Sequence, residues 1–309
     1  MKNDKNIVDL YIESHLDEEY ERIKSCSYED IRHVPTLTSC CNEWKKLTTI
    51  AMDDCIGTKH YVNSPLIRRF HHSMCHANRK GCLSPYNGWE KIKSDKSLFE
   101  QLLCNRLTYN ETFIRNGIPD VIPLYVYAQG MSVMRSYPMV SYFKPTLAKY
   151  LINKYLSDAN WIVDPFSGYS GRMLGALACN KNYVGSDICH SSIEESSELY
   201  SFISTEFNID ANAYLDYGDA REVCTDTFDA LFTCPPYKDI EQWPSAEDGG
   251  VHSCEEWIDI CIDNNKCDRY LFVVDDSIIK SEHYKKHIVE EIENRSHFGS
   301  NVEYVVLLT

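Results

Sequence analysis

A chain of 309 residues with 43% hydrophobic and 25% charged residues has a globular balance and is long enough for one large or two ordinary domains. Its net charge of −15 argues against a generally basic nucleic-acid binder but leaves room for a local cationic patch. No run approaches the roughly 18 apolar residues of a membrane span, and Met1-Lys2-Asn3-Asp4-Lys5 carries no signal-peptide core, so the expectation is a cytoplasmic protein without a membrane partner whose 14 cysteines stay reduced.

Residues 1–30 read as a polar, acidic helix or a loose leader, with Ile7, Leu10, Tyr11, His15 and Leu16 near helical spacing. Residues 31–136 lack clean periodicity and are broken by Pro35, Gly57, Pro65, Gly81, Pro85, Gly88, Gly117, Pro119 and Pro123, with helical pieces expected at 65–74 and 97–106. Lys59, Arg68, Arg69, Arg79, Lys80, Lys91 and Lys93 make the middle of this region the first candidate for a phosphate backbone. Cys40, Cys41, Cys55, His60, His71, His72, Cys75, His76 and Cys82 contain no Cys-x2-Cys pair, so they read as buried thiols and surface histidines, and no metal is assigned. The span 1–136 is thus expected to be an irregular, mainly helical accessory region, a possible DNA-recognition region.

From Tyr137 the pattern changes. Pro145 opens a helix through Leu156, and the apolar strand Trp161-Ile162-Val163 stops at Asp164. Pro165-Phe166-Ser167-Gly168-Tyr169-Ser170-Gly171 is a glycine turn, which lets backbone approach a ligand closely, and a helix over 170–179 follows. Alternation continues: strand 183–186 ending at Asp187, helix 191–205, strand 213–215 followed by Asp216 and Asp219, and strand 228–232 ending at Thr233-Cys234-Pro235-Pro236-Tyr237. A loop over 238–252, helix 254–264, strand 270–274, helix 281–293 and a last strand 303–308 complete the chain. Repeated βα units predict a doubly wound, mostly parallel α/β sheet over 137–309, with any ligand at the carboxyl ends of its strands. Asp187 stands where an acid accepts hydrogen bonds from a ribose, although an acid there also serves as a helix cap.

Asp164-Pro165-Phe166-Ser167-Gly168, then Tyr183-Val184-Gly185-Ser186-Asp187, then Thr233-Cys234-Pro235-Pro236-Tyr237 together resemble the amino-group DNA methyltransferases, with Phe143-Lys144-Pro145 similar to their upstream cofactor motif. The resemblance implies a Rossmann-like methyltransferase fold, S-adenosyl-L-methionine as cofactor and DNA as partner. It implies methyl transfer to the exocyclic amine of a flipped base, adenine N6 slightly favoured over cytosine N4. It also implies that Phe143, Pro145, Asp164, Phe166, Ser167 and Gly168 surround the methionine end of the cofactor. Asp187 would then hold the ribose, and Asp219 would lie near the adenine. Cys234, Pro235, Pro236 and Tyr237 hold the target base in this picture.

The last of these turns has its own physical logic. Two prolines remove backbone donors and leave carbonyl acceptors for an amine, and Tyr237 offers a stacking face to an extruded base. Cys234 departs from the family's usual Asp, Asn or Ser and is a weak acceptor. Glu241 and Trp243 read either as loop packing or as substrate contacts. Arg172 is expected to salt-bridge at a helix start, and Asp275 and Asp276 to cap. The single strand after 281–293 falls one short of the family's terminal hairpin. RNA bases or protein amides as substrates, and a degenerate cofactor-binding or decoy module, are the competing readings.

Overall fold

The computed structural model describes residues 7–55, 64–79, 81–108, 116–134, 139–222, 226–236, 241–242, 252–296 and 299–309, with the single positions 110, 113, 137 and 224. The helices are α1 (Ile7–Lys24), α2 (Tyr28–Ile31), α3 (Leu37–Thr49), α4 (Pro65–Phe70), α5 (Pro85–Ser94) and α6 (Lys96–Thr108), then α7 (Tyr125–Val133), α8 (Pro145–Tyr155), α9 (Gly171–Ala178), α10 (His190–Phe207) and α11 (Cys254–Asn264). Their starts are written locally. Ser27, Thr36, Ser64, Ser84 and Ser253 each accept from the backbone N–H three residues on, a cap worth about 1 kcal/mol. Pro65, Pro85 and Pro145 occupy first-turn positions, where a missing N–H costs nothing.

Contacts divide the chain into two compact units, Met1–Val34 with Met74–Val140, and Pro35–Ser73 with Ser141–Thr309. In the first, α1, α2, α5, α6 and α7 enclose Ile23, Trp89, Phe99, Leu102 and Tyr127, all fully buried. One carboxylate sits among them. Glu19 accepts from the backbone N–H of Ile122 (3.0 Å), Tyr127 Oη (2.6 Å) and Arg22 Nε (2.8 Å), which satisfies a charge that burial alone would make costly.

The second unit is built on a seven-stranded sheet of β1 (Trp161–Asp164), β2 (Asn182–Asp187), β3 (Ala213–Tyr217), β4 (Thr227–Thr233), β5 (Lys266–Val274), β6 (Ile288–Ser296) and β7 (Gly299–Leu308), in the order β3-β2-β1-β4-β5-β7-β6. The first five are mutually parallel, whereas β7 runs antiparallel to both β5 and β6. This is the doubly wound, mostly parallel fold that the βα alternation predicts, with a topological switch at β1, the position where such sheets bind ligands. The strand core is apolar: Val163, Leu231, Phe272, Val274 and Val306 pack with Ile258 and Cys261 of α11. Among the described residues no helix is long and apolar enough to cross a membrane.

Two expectations change. The first is the boundary at 136, because residues 35–73 pack with the sheet unit. Helix α3 buries Cys40, Glu43, Trp44 and Leu47, and its terminal carbonyls at Leu47 and Thr48, with that of Ile50, accept from Lys149 Nζ of α8 at 2.8, 2.9 and 3.2 Å. The second is the helix at 281–293. That segment forms a turn, a single 3₁₀ turn at Lys285–His287 and then β6, so the terminal hairpin is present. A β-bulge between Ile288 and Glu290 sets Ile288 opposite Val306 and Glu290 opposite Val305, so the two face opposite sides of the sheet, and Glu290 is bonded to Tyr150 Oη and Tyr155 Oη (both 2.9 Å) and Lys154 Nζ (3.0 Å). The bulge, and a charge turned toward α8, hide the alternation of a strand.

Candidate active site at the carboxyl ends of the strands

Between β1 and α9 the chain turns over the sheet edge through residues 165–170. Gly168 has φ +55°, a left-handed conformation natural for glycine, and Ser170 has φ +64°, which costs a residue with a Cβ about 1–2 kcal/mol. Gly171 is required by space, since a Cβ there would lie 1.9 Å from the Phe143 carbonyl oxygen. The Phe143-Lys144-Pro145 segment is thereby pressed onto the head of α9. The Phe143 ring meets Phe232 edge-on (5.7 Å between centroids) and carries the Arg172 guanidinium 5.1 Å above it.

Asp164 is the centre of a sealed network. Its Oδ2 accepts from Arg172 Nε (2.7 Å) and Tyr183 Oη (2.6 Å), and its Oδ1 from Thr233 Oγ1 (2.6 Å) and the Phe166 N–H (3.2 Å). Arg172 Nη2 also donates to the Phe166 carbonyl. A carboxylate offers about four acceptor directions, and these donors fill them; Asp164 has no exposed surface. Burial opposes the Arg172 charge, yet Asp164 beside it holds the guanidinium above its ordinary pKa. Burial and then the Asp164 charge push the Tyr183 phenol well above its usual range, so it donates throughout. The expected ion pair of Arg172 is therefore found, in a fully buried setting. The Asp164 side chain, expected beside a cofactor, instead faces inward and ties the glycine turn to the end of β4.

Asp187, at the end of β2, accepts from the backbone N–H groups of Gly168 and Cys189, both at 2.9 Å. Burial raises its pKa although both bonds favour the charged form. Two acceptor directions remain on its carboxylate. Ser167 gives its N–H to the Ser186 carbonyl (2.9 Å), but its Oγ is buried with no hydrogen-bond partner among the described residues. A lone buried hydroxyl costs roughly 1–3 kcal/mol and calls for a ligand or water. Asp219, past β3, is held by Arg221 Nε at 2.9 and 3.0 Å, and that hydrogen bond lowers its pKa.

Residues Cys234, Pro235 and Pro236 follow β4 directly; Cys234 is partly exposed, Pro235 buried and Pro236 exposed. Tyr237, Trp243 and the side chain of Glu241 lie outside the described residues. Phe166, Ser167, Gly168, Asp187 and Cys234 thus stand at the ends of β1, β2 and β4, where β1 and β4 are paired through Val163 and Leu231. Asp275 caps the 3₁₀ turn after β5 through the Ser277 N–H (2.9 Å). Sequence reasoning missed Thr233 and Tyr183 as donors, and Trp257, whose ring meets Phe166 edge-on at 5.0 Å. Thr233 had one signal, its place immediately before Cys234.

No family model and no curated protein matches the chain. Among solved structures, the tRNA (uracil-54, C5)-methyltransferase of Pyrococcus abyssi with S-adenosyl-L-homocysteine is 20% identical at TM-score 0.38, covering 56% of this chain and 41% of that one. Magnesium protoporphyrin IX methyltransferase of Synechocystis with bound SAM is 10% identical at TM-score 0.39, over 53% and 77%. A methyltransferase of Geobacter sulfurreducens is 12% identical at TM-score 0.33, over 62% and 95%.

Proposed function

We propose that the sheet unit is an S-adenosyl-L-methionine-dependent methyltransferase acting on the exocyclic amine of a DNA base, adenine N6 slightly favoured over cytosine N4. The observation that carries this is the bond from Thr233 Oγ1 to Asp164 Oδ1, which joins the glycine turn and the Cys-Pro-Pro turn at adjacent strand ends. A methyl donor and an acceptor base must meet in one fixed geometry, and such a brace provides it.

The residues fit the cofactor. Ser167 Oγ is a buried hydroxyl without a partner among the described residues, Gly168 makes the tight left-handed turn with no side chain in the way, and Asp187 keeps two acceptor directions for ribose hydroxyls. Phe143, Pro145, Phe166 and Ser167 would line the methionine end, with Asp164 acting through the turn it holds. Asp219 would approach the adenine with Arg221 attached. When bound, the cofactor supplies an electrophilic methyl on a sulfonium. The chain's own part is to present the amine: carbonyls of the proline turn accept its hydrogens, and no covalent nucleophile is needed. Tyr237 would stack on the extruded base, and Glu241 and Trp243 would contact the substrate strand.

Cys234 is a weak acceptor where the resembled enzymes carry a stronger one, so RNA amines, protein amides and a decoy role are tested alongside DNA. Purified protein is given tritiated cofactor with DNA, RNA and protein acceptors, and methylated DNA is digested and its nucleosides identified by mass. Label in N6-methyladenine or N4-methylcytosine, lost in Tyr237→Ala, supports the proposal. Label in RNA or protein alone would overturn the substrate, and cofactor binding without transfer to any acceptor would favour the decoy.

A further inference from the structure

The glycine turn is gripped from a second side, by a segment outside the strand-end chemistry. Ser170, left-handed at the head of α9, shares a hydrogen bond of 2.7 Å with Ser196 Oγ of α10 and one of 2.8 Å with His71 Nε2. His71 follows α4, and its imidazole is fully buried rather than on the surface as its sequence neighbourhood suggests. Its Nδ1 lies 3.3 Å from Glu195 Oε2, off-line for a hydrogen bond. Glu195 is anchored from the far side by the Ser73 N–H (2.8 Å) and Ser73 Oγ (2.5 Å). Tyr169 of the turn packs edge-on against the imidazole at 5.4 Å.

Burial lowers the pKa of His71, which keeps the ring neutral. A neutral imidazole beside a carboxylate carries its proton on the near nitrogen, so Nδ1 keeps its hydrogen on the Glu195 side as an electrostatic contact without hydrogen-bond geometry, and Nε2 accepts from Ser170. The hydroxyl of Ser170 is then directed, and Ser196 donates to it. This order matches a Ser-His-Glu hydrolase triad, but Ser170 is 1% exposed and its Oγ is occupied by Ser196 and His71, so no acyl carbon can reach it.

We propose that His71 is a positioning residue of the cofactor turn: the chain from Ser170 through His71 to Glu195 fixes the left-handed start of α9, and with it the backbone of residues 165–170 against which the methyl donor lies. Residues 64–73 then belong functionally to the cofactor site without touching the cofactor. The inference rests on the cofactor assignment proposed above.

Five proteins test it: wild type, His71→Ala, His71→Gln, whose amide can stand where Nε2 stands, Ser170→Ala and the His71→Ala/Ser170→Ala double variant. The first readout needs no cofactor. Native-state hydrogen exchange is followed at Gly168, whose N–H bonds Asp187, and at Leu174, whose N–H bonds the Ser170 carbonyl, with β5 amides as the internal control. The second is S-adenosyl-L-homocysteine affinity by calorimetry. Loss of one directed hydrogen bond predicts about tenfold faster exchange at Gly168 and Leu174 and about tenfold weaker binding in His71→Ala, with β5 unchanged. His71→Gln should recover most of both. Ser170→Ala, which also loses the Ser196 bond, should be at least as affected as His71→Ala, and the double variant should be no worse than Ser170→Ala, the signature of a shared interaction. Equal acceleration at the turn and in β5 would overturn positioning in favour of general stability, as would wild-type exchange and affinity in His71→Ala. A wild-type protein that binds no S-adenosyl-L-homocysteine would count against the methyltransferase function, and the exchange result would then decide the positioning role alone.

Discussion

Replacing Thr233 by valine removes one hydroxyl while keeping the side chain's shape, so it isolates the brace between the ends of β4 and β1. The bond is 2.6 Å long, both residues are fully buried, and the acceptor is a carboxylate. Hydrogen bonds to charged groups contribute about 1.5–3 kcal/mol. Asp164 keeps Arg172, Tyr183 and the Phe166 N–H as donors, so its charge stays compensated and the loss should fall near the lower part of that range, about 2 kcal/mol. In a unit of roughly 200 residues, each kcal/mol moves the melting point by about 2–4 °C. Thr233→Val should therefore melt about 4–8 °C below wild type by calorimetry. Thr233→Ser keeps the hydroxyl and should lose only about 1 kcal/mol, the cost of a buried methyl. If the turns must be held together for transfer, valine should also lower kcat more than cofactor affinity. A Thr233→Val protein melting within about 1 °C of wild type, or a Thr233→Ser as damaged as the valine, would refute the brace.

Arg172→Gln leaves Asp164 buried without its cation and should cost about 3–5 kcal/mol, read from the urea midpoint; an unchanged midpoint would contradict a sealed ion pair. Gly171→Ala gains helix propensity but drives a Cβ into the Phe143 carbonyl, so a net loss of about 1–3 kcal/mol is expected, and a more stable alanine variant would show that the segment yields. Burial raises the folded pKa of Asp187 above the ordinary carboxylate range. The folded state therefore holds its proton to higher pH than the unfolded chain does, and stability from this group falls as pH rises from the ordinary carboxylate range through the raised folded pKa. The stability difference between wild type and Asp187→Asn should shrink across that window and then stay flat; a difference that grows with pH would reverse the sign.

The strand framework was legible because its signals are local. Tyr270 to Val274 is a continuous apolar run, and Trp161 to Val163 ends at an acid and a glycine turn, so each strand could be recognised without its neighbours. Helix α3 was missed for the opposite reason. Its buried stripe is Cys40, Glu43, Trp44 and Leu47, at helical spacing, but Glu43 interrupts the apolar pattern because it is there to accept the Leu66 N–H (2.7 Å). Strand β6 has a helix-like sequence because the bulge between Ile288 and Glu290 breaks its alternation. The motif around Asp164 announced an important acid correctly, yet its donors come from β2, β4 and α9. Whether an acid faces a ligand or is consumed by its own protein depends on such distant donors, and spacing along the chain does not record them.

The two units are threaded through each other along the chain, which runs from the first to the second after Val34, back after Ser73, and into the second again after Val140. During synthesis from the N-terminus, α3 and α4 are made before any strand of their sheet exists. The carbonyls at the end of α3 must wait for Lys149, and the imidazole of His71 must wait for Ser170. The first unit has all its residues by Val140, while the second still holds only an orphaned fragment. A gene fragment beginning at residue 137 would make the opposite orphan, a sheet with a buried lysine facing no carbonyls and a left-handed serine with no imidazole. The glycine turn is therefore completed by residues translated long before it, and the two units cannot be inherited or cut as two consecutive pieces.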